Sequence, residues 1–307
     1  MKVEEAIAKT LKTESHERIQ EEIEKAEELG VFLIPYGNEF YPKPLIEIHD
    51  PPPLLYVWGE RVDALNKFSI AVVGSRKATS YGKAVASQIA GELAKNDVVI
   101  VSGLAYGIDS TAHAAAVKKG ITVAVLGNGI DVVYPHANVK LFEEVKKHGC
   151  LVSEFPFGTK PNKWTFPRRN RIIAGLSMGT VVIEAAKRSG SLITARLALE
   201  EGREVFAVPG SIFSSSSEGT NELIKRGAKC VTCTNDVLEE FEYVKFVQKD
   251  ERTDDPIVKS LKNGPKTVEE ISHSVKMSMD ELNVKLTMLE INGDIEYDPT
   301  GKFRLIQ

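Results

Sequence analysis

Residues 69–103 read SIAVVGSRKATSYGKAVASQIAGELAKNDVVIVSG. Two short apolar, β-branched runs, Ser69–Val73 and Val98–Val101, flank a segment of helix length and composition, Gly82–Lys95. Each run ends in small residues, Gly74-Ser75-Arg76 and Ser102-Gly103. Strands that are apolar without interruption belong to a parallel sheet covered on both faces, because a strand wetted on one face alternates apolar with polar. The same unit recurs downstream. Strands are expected at Thr122–Leu126, Leu151–Ser153, Thr180–Glu184, Glu204–Val208 and Lys229–Thr232. Helices are expected at Ser110–Lys118, Asn138–His148 and Leu192–Glu201. The fold class is therefore α/β, a doubly wound, mostly parallel sheet running to about residue 240.

Upstream, residues 14–29 read as a helix with a narrow apolar stripe (Ile19, Ile23, Leu29) in a Glu-rich background. Residues 31–60 carry Pro35, Pro42, Pro44 and Pro51–Pro53, and an extended lead-in is expected there. Downstream, 241–255 reads as a charged linker. Residues 256–307 give helices at Pro256–Lys262, Thr267–His273 and Met279–Ile291, then a hairpin of Ile295–Tyr297 and Lys302–Ile306 about Asp298–Gly301, the order of a winged helix. Thr267-Val-Glu-Glu270 is a capping box. The expected organisation is a short helical segment over 1–35, the sheet domain over 36–240, the linker, and the winged helix.

The 307 residues are 42% hydrophobic and 27% charged, a globular composition. No apolar run reaches the roughly 18 residues that cross a bilayer. No apolar leader core follows Met1, and three cysteines build no disulfide framework, so a reducing cytoplasm is expected. The net charge of −4 lies wholly in residues 1–30, which hold five Lys/Arg and nine Asp/Glu. Lys160–Arg171, by contrast, holds five cations and no carboxylate. A neutral protein with one concentrated basic stretch can still hold a phosphate backbone there.

In an open parallel sheet, ligands bind beyond the carboxyl ends of the strands. Those ends carry Gly74-Ser75-Arg76, Ser102-Gly103, Gly127-Asn-Gly129 and Ser189-Gly190-Ser191 with Thr194. Glycines let backbone N–H groups approach an anion, and helix N-termini add positive partial charge, so an anion cradle is expected. The stretch KPNKWTFPRRNR (160–171) interleaves Lys163, Arg168, Arg169 and Arg171 with Trp164 and Phe166. Single-stranded nucleic acid asks for this mixture: cations for phosphates and flat rings for unpaired bases. Of the two rings, Phe166 is taken as the exposed one.

Nucleotide motifs are missing. Gly74 to Gly82-Lys83 does not match the P-loop, and Gly127-Asn-Gly129 has Val132 where the third glycine of a dinucleotide fingerprint belongs, so no ATP or NAD is expected. His113 and His136 lack partners at ligand spacing, and packing or loop roles are expected for both. Cys230-Val-Thr-Cys233 lacks two further zinc ligands and is read as core packing. No cofactor, no metal and no catalytic set are expected.

In order along the chain stand GSR (74–76), SGLAYGID (102–109), GNGID with VYPHAN (127–138), SEFPFGTKP (153–161), FPRRNRIIAGLS (166–177), VIEAAKRSGSLITA (182–195) and FAVPGS (206–211). As a set these resemble the DNA-processing protein A (DprA/Smf) family over about residues 36–235. The resemblance implies an extended Rossmann-like domain that binds single-stranded DNA without hydrolysing it. It also implies protection of incoming strands during natural transformation, loading of RecA recombinase onto them, and action as a homodimer. By motif it assigns DNA contact to Gly74, Ser75, Arg76, Ser102 and Gly103, to Lys163, Phe166, Arg168, Arg169, Asn170 and Arg171, and to Ser189, Gly190, Ser191 and Thr194. A full N-terminal domain of the sterile-alpha-motif type is not expected in the first 35 residues. The winged helix carries seven Lys/Arg against eight Asp/Glu, and its third helix offers only Asn283 and Lys285 to base edges, so protein contact is preferred to duplex reading. The alternative is a nucleotide phosphoribohydrolase of the lysine-decarboxylase-like group, but Ser177–Glu184 preserves only fragments of its PGGxGTxxE signature.

Overall fold

The computed structural model describes residues 1–241, 256–262, 264–275, 277–291, 295–298 and 301–305. They fall into two compact units, Met1–Val237 and Leu238–Gln307. The first runs α1 (Val3–Leu11), α2 (His16–Leu29), β1 (Phe32–Pro35), α3 (Lys43–Ile46), β2 (Leu54–Trp58), β3 (Ser69–Val73), α4 (Ser80–Lys95), β4 (Val99–Ser102), α5 (Ile108–Ala116) and β5 (Thr122–Val125). It continues with α6 (Val139–His148), β6 (Gly149–Ser153), α7 (Thr165–Leu176), β7 (Gly179–Val182), α8 (Ser191–Glu200), β8 (Glu204–Ala207), α9 (Glu218–Lys225) and β9 (Lys229–Cys230). One nine-stranded sheet results, ordered β1-β2-β6-β5-β4-β3-β7-β8-β9. From β6 to β9 every pairing is parallel, and β1 and β2 add an antiparallel edge. The order reverses at β3, with β4 on one side and β7 on the other, which puts the switch point between the ends of these three strands.

The continuous apolar runs have the predicted cause. On β2, Leu55 and Val57 enter one core with Ile172, Ile173 and Leu176 of α7 and Ala195 and Ala198 of α8. Leu54 and Tyr56 enter another core with Ile7 of α1, Ala26 of α2, and Phe142 and Val145 of α6. Successive side chains point to opposite faces, and both faces are dry.

Three expectations need correction. Residues 31–60 are not merely an extended lead-in, since β1 and β2 pair into the main sheet (Phe32↔Val57, Tyr56↔Ser153). The prolines flank these strands or end them: Pro51–Pro53 precede β2, and Pro35 is the last residue of edge strand β1. Cys230 and Cys233 are exposed rather than core, because β9 is a two-residue strand at the sheet edge. The basic stretch, given no helix, continues into α7, whose first turn accommodates Pro167, where no intrahelical N–H bond is lost. Helix α1 joins α2 within the expected helical segment 1–35, and α9 is an addition to the expected elements. The second unit holds helices Pro256–Leu261, Val268–Ser274 and Met279–Ile291 and the strand pair Ile295–Tyr297 and Phe303–Leu305 around Ile257, Ile271, Leu282 and Leu286. Its capping box is formed: Thr267 Oγ1 accepts from Glu270 N–H, and the Glu270 carboxylate accepts from Thr267 N–H. Of the expected linker 241–255 all but Phe241, and of the expected hairpin residues 299, 300 and 306, lie outside the described residues.

At the switch point the loops are tied backbone to backbone. Ser75 N–H donates to Glu184 O (2.8 Å), and Ile108 N–H donates to Ser75 O (3.2 Å). Gly107 makes this possible: its φ is +81°, and a Cβ there would lie 2.2 Å from Ser75 O. Gly107→Ala is expected to cost about 2–4 kcal/mol of stability, combining backbone strain with overlap, as a lowered urea midpoint at unchanged m-value.

Candidate functional site

Because β4, β3, β7 and β8 are parallel neighbours, the loops that follow them share one edge of the sheet. A cleft on this edge is lined by Arg76, Gly103, Tyr106, Gly127, Tyr134 and Phe166 among others. Phe166 is half-buried on the first turn of α7, its ring lying over Gly127. A Cβ at Gly127 would stand 2.7 Å from that ring. The Tyr134 ring is 5.7 Å from it, and the exposed Arg76 guanidinium sits 4.8 Å from its centre. Trp164, not Phe166, is the more exposed ring, at 74%, with Lys163 Nζ 5.1 Å from its centre. This reverses the ranking drawn from the sequence: Trp164 precedes the helix, whereas Phe166 already faces the sheet.

The cations of the basic stretch divide by helical phase. Lys163 and Arg168 are exposed. Arg169 is buried: its Nη1 donates to Gly103 O (2.9 Å) and to Val125 O, and its Nε donates to Asn170 Oδ1 (3.2 Å). Gly103 is required here, since a Cβ would meet Arg169 Nη2 at 2.5 Å. Behind this group lies buried Asp109. Burial raises the Asp109 carboxyl above its usual range, against the Arg169 charge and the backbone of Ala105 and Gly103. Burial likewise lowers Arg169 to about 10, against Asp109. For both members desolvation outweighs their mutual attraction.

Arg171 is also turned inward. Its Nη1 and Nη2 donate to Glu154 Oε1 and Oε2 (2.9 and 2.7 Å), and its Nε donates to Asp50 (3.0 Å). Arg168 Nη2 shares the Glu154 carboxylate at 3.2 Å. Ser102 is fully buried, its hydroxyl donating to Val72 O (2.7 Å). The expectation of direct phosphate contact is therefore corrected for the side chains of Ser102, Arg169 and Arg171, whose polar groups are spent on the protein's own acceptors. Gly74 and Ser75 are half-buried beside Arg76. Gly190 is exposed at the start of α8, with Ser189 and Ser191 hydroxyls 2.8 Å apart and Thr194 buried one turn on. Asn170 Nδ2 reaches Gly190 O at 3.5 Å, bringing α7 beside that helix start.

Two further residues shape the edge. Glu184 is 2% exposed, and its carboxylate accepts from Thr79 N–H (2.9 Å) and Thr79 Oγ1 (2.5 Å) at the N-terminus of α4. A Cβ at Gly82 would lie 2.2 Å from this carboxylate. The helix N-terminus where a doubly wound fold receives a phosphate is thus occupied by the chain's own carboxylate. His113 is fully buried. Thr122 Oγ1 already donates to Ile100 O, so His113 Nδ1–H donates to Thr122 (2.7 Å), and Nε2 accepts from Leu104 N–H (3.3 Å). Leu104 has φ +53° and is held from its other side by Asn138 Nδ2, 2.9 Å from its carbonyl. Sequence reasoning missed this clamp; the only signal was a histidine in an alanine-rich helix. Among the described residues there is no group of three or more His, Cys, Asp or Glu able to hold a metal, and no helix long and apolar enough to cross a membrane.

Residues 32–242 match the family described as DNA recombination-mediator protein A. The DNA processing protein DprA of Bacillus subtilis is 46% identical over 214 residues, 69% of this chain and 72% of that protein. Protein Smf of Escherichia coli is 49% identical over 213 residues, 69% of this chain and 57% of that protein. Among solved structures, DNA processing protein A from Streptococcus pneumoniae aligns with TM-score 0.69 and 44% identity over 74% of this chain and 78% of its own. The Helicobacter pylori protein, solved for its single-stranded DNA binding mode, aligns with TM-score 0.63 and 32% identity over 69% of this chain and 96% of its own.

Two outcomes follow from the buried groups. Arg171→Ala leaves Glu154 buried without its bidentate partner and is expected to cost about 3–5 kcal/mol by chemical unfolding, whereas exposed Arg168→Ala costs less than about 1 kcal/mol. Burial pushes His113 down to about 3, against roughly 6.5 in an unfolded chain. From pH 6.5 toward 3 the unfolded chain therefore takes up a proton that the native protein refuses, and stability falls with pH. This one group contributes up to about 1.4 kcal/mol per pH unit. Urea unfolding across that range should show a shallower slope for His113→Gln; an unchanged slope would mean that His113 is charged in the fold.

Proposed function

This chain belongs to the DNA recombination-mediator protein A family, and we propose that it grips single-stranded DNA along the switch-point edge of its sheet. DNA processing in recombination is the role that membership carries; the finer reading adds delivery of the bound strand to RecA recombinase during natural transformation, by a cytoplasmic homodimer, with the C-terminal unit as a winged helix that contacts protein.

One observation carries the reading: an exposed guanidinium over a half-buried aromatic ring, at a glycine-lined edge. Arg76 offers two parallel N–H groups to a phosphate, and the half-buried Phe166 ring beneath it is the kind of flat apolar surface on which an unpaired base stacks. Lys163, Trp164 and Arg168 extend the edge outward, and Gly190 with Ser189 and Ser191 continues it across α8. A duplex keeps its bases stacked inside and cannot bring one to Phe166. The phosphoribohydrolase alternative would need a free Glu184 carboxylate, whereas here that group is bonded to Thr79.

The test is a salt series of binding to matched single- and double-stranded oligonucleotides. Single strands are expected to bind more tightly, with affinity falling as salt rises. Arg76→Ala should weaken single-strand binding at least about fivefold and reduce the slope of log K against log salt by about 0.7, one phosphate's share. Because Arg76 is exposed, its thermal midpoint should hold. Undiminished single-strand binding by Arg76→Ala would refute the placement.

A further inference from the structure

The loop after β8 carries two large apolar side chains in water: Ile212 is 82% exposed and Phe213 94%. Unexplained solvent exposure of two such neighbours calls for a partner surface. The loop that holds them is fastened at both ends. Tyr81 OH donates to Pro209 O (3.1 Å), Asn221 exchanges side-chain bonds with the Gly210 backbone (3.2 and 3.0 Å), and Ser216 Oγ reaches Glu184 (3.4 Å). Between these ties, Phe213 N–H donates to Ser211 Oγ (3.2 Å) and Ser214 N–H to Ser211 O (3.0 Å), forming a turn with Ile212 and Phe213 at its tip.

The tip follows β8, which neighbours β7, which neighbours β3, and all three are parallel. Its loop therefore leaves the same sheet edge as the Arg76 loop, from a strand two spacings, roughly 10 Å, from β3. The loop after β7 lies between them and is cationic and open, with Lys187, Arg188 and Gly190 all exposed. Along this edge run a ring with a guanidinium, then two exposed cations, then a second ring. Alternation of rings with cations is what an extended strand of unpaired nucleotides requires. Glu218, exposed at the start of α9, is the nearest carboxylate in sequence, and it favours a base over a phosphate at the tip.

We propose that Ile212 and Phe213 form a second stacking platform, which takes a base of the strand that leaves the Phe166 cleft across the β7 loop. This rests on the strand reading above and extends it by a defined direction of travel.

The full chain is titrated with oligothymidylates of about 6 and about 20 nucleotides, bracketing ordinary site sizes. Phe213→Ala should weaken binding of the longer strand roughly five- to a hundredfold, the worth of one stacked base, and change the shorter less than about twofold. A long strand carrying photoreactive 5-iododeoxyuridine at successive positions should form adducts at Phe213 and at Phe166 from different nucleotides. Undiminished long-strand affinity with no adduct at Phe213 overturns the proposal. So does a Phe213→Ala protein whose oligomeric state by light scattering changes while strand binding does not, since the tip is then a protein contact. Arg76→Ala is run in parallel. If Arg76→Ala binds both lengths normally, the strand reading itself fails and this proposal with it; if it loses affinity while Phe213→Ala does not, only the platform fails.

Discussion

The buried Arg169 guanidinium is the constraint on which the binding edge depends. It joins Gly103 O, beyond the end of β4, to Val125 O at the end of β5, from a helix that belongs to neither. Arg169 and Phe166 are three residues apart on α7 and so lie on one helical face. Once the guanidinium is seated over Gly103, the ring has to lie over Gly127. The two glycines are therefore a matched pair, each emptied of a side chain so that one residue of α7 can enter. Asp109 behind the cation and the His113–Leu104–Asn138 clamp beside it fix the β4 loop from below. Neither ion is at ease there, since burial pushes both toward neutrality. Such a pair is weak evidence of stability, but it specifies a single position for the loop.

The fold was legible because it rests on burial on two faces. Ser69–Val73 could be bounded to the residue because Ile70, Ala71 and Val72 are wholly dry, and wholly dry strands leave an unbroken apolar run. The same signal was present in Leu54–Trp58, also dry on both faces, and was overridden by the prolines around it. Proline forbids a ladder only where its own nitrogen is needed, and none falls inside β2. Short strands bounded by proline are thus better judged by their interior than by their flanks.

The site was legible as a set of residues and illegible as a division of labour. Arg168, Arg169 and Arg171 have the same chemistry within four positions, yet one is exposed and two are sealed. What separates them is the phase of a helix that starts at Thr165 and contains Pro167, and the partners Gly103, Val125 and Glu154, which arrive from distant sequence. Charge counting cannot see this. Of the five cations in Lys160–Arg171, two are committed to the interior, so the outward field of the segment is weaker than its composition implies.

Glu184 completes the argument about ligand class. A glycine-rich turn leading into a helix after the first parallel strand is built to receive a phosphate at the helix N-terminus. Here Thr79, at that terminus, donates both its N–H and its hydroxyl to Glu184, and Gly82 is stripped of a Cβ to admit the carboxylate. An anion fixed in place from within repels one offered from without. The foot of α4 is therefore unfavourable to a second anion, whereas Arg76 on the same sheet edge is exposed. A deep pocket at a helix foot selects one terminal phosphate group. An open edge with a cation above a ring accepts a phosphate anywhere along a thread, and it is the thread, rather than a mononucleotide, that this geometry suits.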